Sequence, residues 1–336
     1  MNAMRYHPPA EWDPHGALWT AWPADPDVWP GDFEGARREV GAMVRALAAR
    51  SSAGREGDRV RVLVQGPLAM LSAETEIGEH AELIPADYGD IWLRDTGPVF
   101  LDSGRCALFR FNGWGSKFIY DHDEEVSSLV AGLSGAQAVR HQRILEGGAL
   151  DWDGEGTILT TRECLLNSNR NAWSEAEAET FLLEALGARR VIWLGDGLLN
   201  DHTDGHVDNI ARFVAPGVVV CQAPSGSDDP NADRLEAIAS TLAEARDARG
   251  RRLQVIRIPS PGLIADEEGR AVPASHMNFI IGNSTVVTPV YGGPFGQAAV
   301  EALKPLFPGR DVIGLSATHI LSGGGAFHCI TQQQPA

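Results

Sequence analysis

The chain has 336 residues, of which 43% are hydrophobic and 22% are charged. That composition is typical of a globular protein with a large buried core. The formal net charge is −17, which argues against nucleic-acid binding, because such binding depends on clustered cationic side chains. The acidity is compatible with attraction of a small cationic molecule.

Four cysteines stand far apart in the sequence, and none belongs to a Cys-x-x-Cys pair. This spacing argues against a disulfide framework or a zinc ribbon and favours a reducing compartment. The first residues carry no apolar core of the kind found in signal peptides, and no apolar run approaches the length of a membrane span. We therefore expect a cytoplasmic protein with no membrane partner.

Helix signals recur in five places along the chain. Each joins a candidate cap to apolar residues at helical spacing, and the predicted helices begin at Asp32, Asp121 or Asp123, Ser174, Asn231 and Gly296. A further, shorter helical segment is predicted over residues 68–77.

Short β-rich runs lie between these helices, mostly in groups rather than singly. They are predicted at residues 60–64, 99–101, 107–111, 157–160, 191–194, 209–213, 218–221, 253–258, 279–281, 285–288 and 312–314. The grouping disfavours a doubly wound parallel sheet, which alternates single strands with helices. It predicts five αβ units in a circular array of small mixed sheets, and we expect a single domain over residues 1–336.

Three glycines, Gly323 to Gly325, shortly precede His328 and Cys329 near the C-terminus. Glycines let a backbone approach a ligand closely, and a cysteine thiolate is a strong nucleophile. Cys329 is therefore a candidate nucleophile. The alternative is a buried, inert cysteine, since cysteine is among the most buried residue types.

A histidine and a carboxylate stand two residues apart in the segment 204–209. If this segment is a strand, His206 and Asp208 project from one face and form a candidate catalytic pair. A surface turn, or a core histidine fixed by its neighbour, is the alternative. We do not expect these two residues to form a metal site with His202, because a pair at i and i+4 usually needs a helix, which the following Thr-Asp-Gly disfavours.

Two more carboxylates stand beside glycines or turns. Asp95 is predicted to lie at a strand end, although Arg94 could instead form a charge cluster with Asp95 or Asp90 that fixes a turn. Glu146 precedes two glycines that let the backbone pass close to a ligand, although a hairpin corner explains them equally well. The glycine-rich segment 111–117 around Trp114 is either a pocket wall or lid, or a solvated hairpin.

One cysteine, one histidine and three carboxylates together suit chemistry on a guanidinium group. The guanidinium carbon is a poor electrophile because its charge is delocalised, so attack needs a thiolate and a site that holds the flat cation. Carboxylates accept paired N–H bonds from a guanidinium. A histidine can protonate the departing ammonia and later activate water.

Five segments together resemble the agmatine deiminase and bacterial-type peptidylarginine deiminase family. They are residues 92–98, 146–148, 167–171, 203–209 and 323–333. The match spans nearly the whole chain and keeps the family's order. It implies the guanidine-modifying, or pentein, fold, which is a five-bladed α/β propeller with pseudo-fivefold symmetry and an active site in its central channel.

The resemblance also implies a role for each residue. Cys329 is the implied nucleophile and His206 the general acid and base. Asp95 and Asp208 bind the guanidinium nitrogens, and Glu146 supports His206 or the substrate. Further substrate contacts are expected from Trp92, Trp114, Arg170 and Gly325, whereas His328 is expected to be structural. No metal or organic cofactor is required, and a homodimer is compatible with the resemblance.

Four positions depart from the family's usual pattern. Agmatine deiminases typically have Asn where this chain has Ala149 and Ala326, an acidic residue in place of His202, and commonly an aromatic residue in place of His276. These neighbours shape the pocket, so the deiminase chemistry is better determined than the substrate.

The sequence therefore predicts a hydrolase that deiminates a cationic guanidino compound through a covalent S-amidino cysteine. Agmatine is the expected substrate, and N-carbamoylputrescine and ammonia are the expected products, as in putrescine and polyamine biosynthesis. Arginine, a substituted arginine, peptidyl-arginine or amidino transfer to an amine are alternatives within this chemistry. Other classes left open are a non-catalytic propeller that binds a ligand, a cysteine peptidase and a metal hydrolase.

Overall fold

The computed structural model describes residues 7–29 and 31–336, and the strands of this part of the chain form five sheets. The first contains β1 (His15–Ala21), β2 (Val60–Val64), β3 (Ala81–Pro85) and β16 (Gln332–Pro335), and the second β4 (Val99–Asp102), β5 (Arg105–Arg110) and β6 (Gln137–Ile144). The third contains β7 (Asp151–Trp152), β8 (Thr157–Thr161) and β9 (Arg190–Leu194), and the fourth β10 (Ala211–Ala215), β11 (Val218–Ala223) and β12 (Gln254–Pro259). The fifth contains β13 (Ile280–Ile281), β14 (Thr285–Val290) and β15 (Asp311–Ser316).

Helices connect the strands within and between these sheets. The longer ones are α1 (Phe33–Ala48), α2 (Pro67–Ile77), α5 (Asp123–Ser134), α7 (Glu175–Leu186), α8 (Ala232–Glu244) and α9 (Phe295–Leu303). The shorter ones are α3 (Leu93–Thr96), α4 (Gly113–Ser116), α6 (Arg162–Leu165) and α10 (Thr318–Ser322). Short 3₁₀ turns occur at Pro26–Val28, Gly147–Ala149, Val207–Asn209 and Lys304–Leu306.

Four of the sheets follow one plan. The first two strands pair antiparallel, and the third strand pairs parallel with the second. Because a tight turn cannot join parallel strands, a long helix crosses over between them: α5, α7, α8 or α9. In the remaining sheet, the C-terminal strand β16 occupies the first position, antiparallel to β1, and α1 crosses over from β1 to β2.

Contacts between neighbouring sheets close the array into a ring. Strand β16 contacts β4, β7 contacts β10, α9 contacts β12, and α1 contacts β14. The second and third sheets share one apolar cluster that includes Val99 and Trp152. The prediction of five units in a circular array of mixed sheets is therefore confirmed. Cys329 precedes the strand β16 that completes the ring.

The predicted helices are confirmed, with small differences at their ends. The Asp32 side chain accepts the backbone N–H of Gly35 at 2.9 Å, and Ser174 and Glu177 form the predicted capping box. The predicted strands miss β1, β3, β6, β7 and β16. Strand β6 is exposed or half-buried throughout, so it shows no apolar alternation, and β7 has two residues. Among the described residues, no helix is both long and apolar enough to cross a membrane.

Candidate active site

A cavity of about 190 Å³ opens where α3, α4 and the chain after α10 approach one another. The predicted site residues divide into two groups around it. Its wall includes Cys329, Asp95, Trp92, Trp114 and Gly325. The other predicted residues do not line it: His206, Asp208, Glu146 and Arg170.

Cys329 presents its thiol to the cavity from the segment between α10 and β16. The side-chain nitrogen of Asn278 lies 3.0 Å from the sulfur, and Asp208 Oδ2 lies 3.6 Å from it. Burial raises the pKa of the thiol well above its ordinary value, and the carboxylates of Asp208 and Asp95 add to this effect. The free enzyme therefore holds Cys329 as a neutral thiol, and a cation in the cavity would favour the thiolate.

Asp95 lies in the short helix α3 rather than at a strand end, so that prediction is wrong. The turn forms because the backbone N–H groups of Asp95 and Thr96 both donate to the Trp92 carbonyl. The Asp95 carboxylate accepts the indole N–H of Trp114 at 2.8 Å and the backbone N–H of Gly148 at 2.9 Å. Burial raises its pKa, and nearby carboxylates reinforce that shift, although His206 opposes it.

Arg94 forms no ion pair with Asp90 or Asp95 among the described residues, so the alternative interpretation as a charge cluster is wrong. Arg94 donates instead to the His328 carbonyl at 3.3 Å and to the Gln332 side chain at 3.1 Å. Arg94 therefore ties α3 to the chain around Cys329. This leaves the Asp95 carboxylate free of a direct arginine contact.

His206 and Asp208 do not lie on a strand, so the strand alternation considered for residues 204–209 is wrong, and the strand predicted at 209–213 begins only at Ala211. Asp204 and Gly205 have φ values of 62° and 82°, and this left-handed pair turns the chain sharply. A 3₁₀ turn follows at Val207–Asn209. The turn still directs both side chains toward the site around Cys329. Asp208 approaches Cys329, and His206 approaches Asp95.

The imidazole of His206 is fully buried, and its Nδ1 lies 3.8 Å from Asp95 Oδ2. Neither ring nitrogen has a hydrogen-bond partner among the described residues. Burial lowers the pKa of His206, but the charges of Asp95 and Glu146 and the contact with Cys164 outweigh it. The net pKa lies well above the ordinary value, so the ring holds a proton that it can give to a leaving group.

The close approach of three polar groups explains why position 148 is a glycine. A Cβ atom there would lie 2.6 Å from His206 Nδ1, 2.9 Å from Asp95 Oδ1 and 3.2 Å from Asp208 Oδ2. Any side chain would therefore displace the groups that surround the cavity floor. The predicted carboxylates and histidine thus converge on one point, although only Asp95 reaches the wall.

Glu146 and Arg170 form a buried ion pair, with Arg170 Nε 2.9 Å from Glu146 Oε1. Arg170 also pairs with Asp204 and donates to the Thr203 carbonyl at 2.8 Å. The prediction that Arg170 contacts substrate therefore does not fit its position behind the wall. Its guanidinium instead fixes Glu146 beside His206 and anchors the turn that carries His206.

The segment around Trp114 forms one wall of the cavity, as one of the two interpretations predicted. Trp114 has a left-handed backbone with φ of 53°, and its ring packs edge-on against Phe111. Lys117 donates to the His202 carbonyl at 2.8 Å and so ties this segment to the opposite rim. On the other side, a Cβ at Gly325 would lie 2.7 Å from the Trp92 ring and 3.2 Å from the Cys329 sulfur, so glycine is needed there.

Three potential metal ligands lie together within the described chain: Glu146, Cys164 and His206 have donor atoms within 4.8 Å of one another. This trio does not include His202, which is exposed at the cavity rim. The alternative metal site of His202, His206 and Asp208 is therefore not formed. Arg170 already supplies a positive charge to Glu146, so a metal ion at the trio would have to compete with it.

The four departures from the family pattern lie around the site. Ala149 and Ala326 are buried. His276 is also buried and stacks on Tyr291, with ring centroids 6.2 Å apart. Burial lowers the pKa of His276 to about 4. It is therefore a neutral ring at neutral pH and resembles the aromatic residue that it replaces.

Several residues at the site carried no recognisable sequence signal for their role. Asn278 contacts the thiol although it is 51 positions away along the chain, and Cys164 lies beside His206. Asp90 lines the cavity, where its carboxylate accepts the Trp92 indole N–H at 2.7 Å. Spacing could not reveal these contacts, because only the closed ring brings the segments together.

A larger groove of about 790 Å³ lies elsewhere, along α7, β9 and the end of α8. Its walls are formed by residues such as Arg189, Val191 and Thr241 and contain neither cysteine nor histidine. It offers no group that could attack a guanidinium carbon. We therefore assign the active site to the smaller cavity that contains Cys329.

Comparisons with known proteins agree with this geometry. The family model of the Porphyromonas-type peptidyl-arginine deiminases matches residues 7–335. An agmatine deiminase of Stutzerimonas stutzeri is 37% identical over 359 aligned positions, covering 98% of this chain and 96% of that protein. The solved agmatine deiminase of Enterococcus faecalis is 29% identical with a TM-score of 0.90, over 98% of this chain and 96% of its own. The DDAH of Pseudomonas aeruginosa, 14% identical over 95% and 99% of the two chains, shares the fold with a TM-score of 0.55. The chain belongs to the Porphyromonas-type peptidyl-arginine deiminase family.

Proposed function

We propose that this protein is an agmatine deiminase that converts agmatine and water to N-carbamoylputrescine and ammonia. The observation that carries the proposal is a thiol close to two buried carboxylates, Asp95 and Asp208, that have no arginine or lysine partner among the described residues. Asp95 lines the cavity beside Cys329, and the buried Asp208 Oδ1 lacks a hydrogen-bond partner among the described residues. A flat cation with several N–H donors satisfies these acceptors.

In the first half-reaction, the guanidinium binds between Asp95 and Asp208 and offsets the negative charge that raises the pKa of Cys329 and His206. His206 releases its proton to solvent when the cation binds, and the neutral ring then accepts the thiol proton. The thiolate sulfur then forms a bond to the guanidinium carbon, and a C–N electron pair moves onto nitrogen. His206 returns its proton to the leaving nitrogen, ammonia departs, and an S-amidino cysteine remains.

In the second half-reaction, water takes the place of ammonia. His206 accepts a proton from this water, and the oxygen bonds to the amidino carbon. The C–S bond breaks and its electron pair returns to sulfur. The new hydroxyl group passes its proton to the Cys329 thiolate, the ureido product leaves, and His206 keeps the proton that it took from water, as in the free enzyme. Asn278, 3.0 Å from the sulfur, stabilises the departing thiolate, and Glu146 with Arg170 keeps His206 in place.

The cavity favours agmatine over larger or acidic guanidines. Its volume of about 190 Å³ suits a small molecule and leaves little room for a peptide backbone. Asp90 adds a second carboxylate to the wall, which would attract the amine of agmatine and repel the carboxylate of free arginine. The full-length relatives that carry the name agmatine deiminase support the same choice.

A substrate panel tests this proposal. Agmatine, arginine, methylarginines and an arginine peptide are assayed for ammonia and ureido product. We expect agmatine to have the highest kcat/KM, and the Cys329→Ala variant to be inactive while the control Cys221→Ala, altered in β11, keeps its activity. If another guanidine is preferred, the substrate assignment is wrong. If no guanidine releases ammonia, the proposed chemistry is wrong.

Three further properties belong to the same proposal. We propose a single catalytic domain over residues 1–336, which the pairing of the C-terminal strand β16 with β1 supports. We place the enzyme in the cytoplasm, where agmatine would be available and where free thiols stay reduced. It acts on a small cation rather than on nucleic acid, and a homodimer is compatible with the family. Size-exclusion chromatography with light scattering measures the oligomeric state.

A further inference from the structure

His328 is the residue before the proposed nucleophile, yet it does not line the cavity, and its ring contacts two buried carboxylates instead. Its Nδ1 lies 2.7 Å from Asp208 Oδ2, and its Nε2 lies 3.1 Å from Glu11 Oε2. All three side chains are nearly or fully buried. A line of contacts therefore runs from Glu11, on the segment before β1, to the carboxylate beside Cys329.

The contacts of His328 with Asp208 and Glu11 indicate which protonation state of its imidazole satisfies both carboxylates. A carboxylate oxygen is an acceptor only, so a ring nitrogen that faces one must donate. Both nitrogens of His328 face carboxylates, and a neutral imidazole has a single N–H. The arrangement is satisfied when His328 is the doubly protonated cation, held between two anions.

Asp208 depends on this cation for its own charge. Burial favours the neutral acid, but the hydrogen bond and charge of His328, with His206 and Arg212, outweigh it and lower the pKa of Asp208. The bond also orients the carboxylate. Oδ2 is occupied by His328 and approaches Cys329, whereas Oδ1 has no partner among the described residues and is left for a guanidinium.

Glu11 is held firmly at the other end. It forms an ion pair with Arg212 and accepts the backbone N–H of Ile281 at 2.7 Å. Arg212 in turn lies 2.7 Å from Asp151. The titratable and charged groups that surround His328 from the packed elements are Glu11, Arg94, Asp95, Asp151, His206, Asp208, Arg212 and Cys329.

We propose that Glu11 and His328 are positioning residues for the reaction, and that they keep Asp208 ionised with one oxygen turned to the substrate. This inference rests on the proposed function, because the role of Asp208 is to bind a guanidinium. It extends the working site to a glutamate 317 positions before His328 in the chain. That glutamate does not touch the cavity that contains Cys329.

The test compares the full-length variants His328→Asn and Glu11→Gln with the unaltered enzyme, using the best guanidine of the panel. Asn can still donate one hydrogen bond but carries no charge. We expect kcat/KM to fall about 10- to 100-fold in His328→Asn and less in Glu11→Gln. We also expect the acidic limb of the pH profile to move up by about 1 pH unit or more, because Asp208 then protonates more readily.

A matched control separates positioning from loss of packing. Asp247 is also a buried residue in an ion pair, since its Oδ2 lies 2.5 Å from Arg251 Nε, but this pair is not part of the site and does not contact Glu11 or His328. Asp247→Asn should lower stability without moving the acidic limb. The Asp208→Asn variant should be nearly insensitive to the further change His328→Asn, because His328 acts through Asp208.

Each outcome decides the matter. An unmoved acidic limb in both variants overturns the inference, even if activity falls with stability. If His328→Asn does not fold, Glu11→Gln carries the test, and an unmoved limb there has the same meaning. If the unaltered enzyme turns over no guanidine, the proposed function has failed instead, and the inference fails with it. If it turns over one and the limbs stay in place, only the inference has failed.

Discussion

Two neighbouring groups of buried charges near Cys329 are paired in different ways. In the group that we call the closed end, Glu11, Arg212 and Asp151 form a chain of buried ion pairs. In the group that we call the open end, Asp95 lines the cavity and Asp208 lies behind its wall. Their ion-pair partners are histidines, His206 at 3.8 Å and His328 at 2.7 Å, and no arginine or lysine among the described residues pairs with either. Buried charges are normally paired. The difference therefore identifies which end is built to receive a cation, and which end is built to hold the structure.

The carboxylates at the open end lack an arginine or lysine partner among the described residues, and this has a measurable cost. Burial raises the pKa of Asp95 and of Cys329, and neighbouring carboxylates add to both shifts. These shifts mean that the protonated forms of Asp95 and Cys329 are favoured in the free enzyme. A bound cation would favour the ionised forms instead. Affinity for a guanidinium and the unfavourable electrostatics of the empty site are two aspects of the same arrangement.

The largest expected effect comes from removing a charge at the open end. Asp95→Asn should lower kcat/KM by about 100-fold or more, because a buried carboxylate that pairs with the substrate is lost. The free energy of unfolding should stay the same or rise, because burial and the neighbouring carboxylates outweigh the charge of His206 and leave the pKa of Asp95 raised. Steady-state kinetics and urea unfolding measure the two effects. The control Glu267→Gln alters an exposed carboxylate and should change neither.

The comparison predicts the opposite pattern at the closed end. Arg212→Leu should lower the free energy of unfolding by about 3–5 kcal/mol, because Glu11 and Asp151 are then buried without their cation. Urea unfolding followed by tryptophan fluorescence measures this loss. Arg270 forms exposed ion pairs with Asp266 and Glu268, so Arg270→Leu is the control and should leave the midpoint unchanged. Equal midpoints for the two variants would contradict the contrast between the ends.

A smaller effect should appear in the titration of the nucleophile. Because burial, Asp208 and Asp95 raise the pKa of Cys329, its alkylation by iodoacetamide should be slow at neutral pH and should accelerate only above the ordinary thiol range. The Cys329→Ala variant supplies the background from the other cysteines. In Asp95→Asn the rate profile should move to lower pH, since one of the carboxylates that raise the pKa is gone. A profile with a midpoint near neutral pH in the unaltered enzyme would contradict the account.

Much of the open end could be predicted from the sequence, because its residues belong to short glycine-containing segments. Cys329 follows Gly323 to Gly325, and Glu146 precedes Gly148, whose missing side chain leaves room for His206 and Asp95. The strand prediction for His206 and Asp208 failed because Asp204 and Gly205, which both have a left-handed backbone, turn the chain just before His206. Alternation of residue types alone could not distinguish that turn from a strand.

The closed end could not be predicted, because its contacts join segments that are far apart in the sequence. Glu11 meets His328 across 317 positions and Arg212 across 201 positions. No periodicity or spacing records such contacts, which form only when distant segments come together in the fold. Arg170 shows the reverse error, since its place in a family segment suggested substrate binding, whereas its ion pair with Glu146 places it behind the cavity wall.

The central claim is that Cys329 becomes covalently bonded to the substrate carbon. Intact-protein mass spectrometry of the enzyme, quenched in acid during turnover of agmatine, tests it most directly. The account predicts an added mass equal to agmatine less one ammonia, located on the peptide that contains Cys329 and missing from Cys329→Ala. Ammonia release without any such adduct at short quench times, or an adduct that persists in Cys329→Ala, would contradict it.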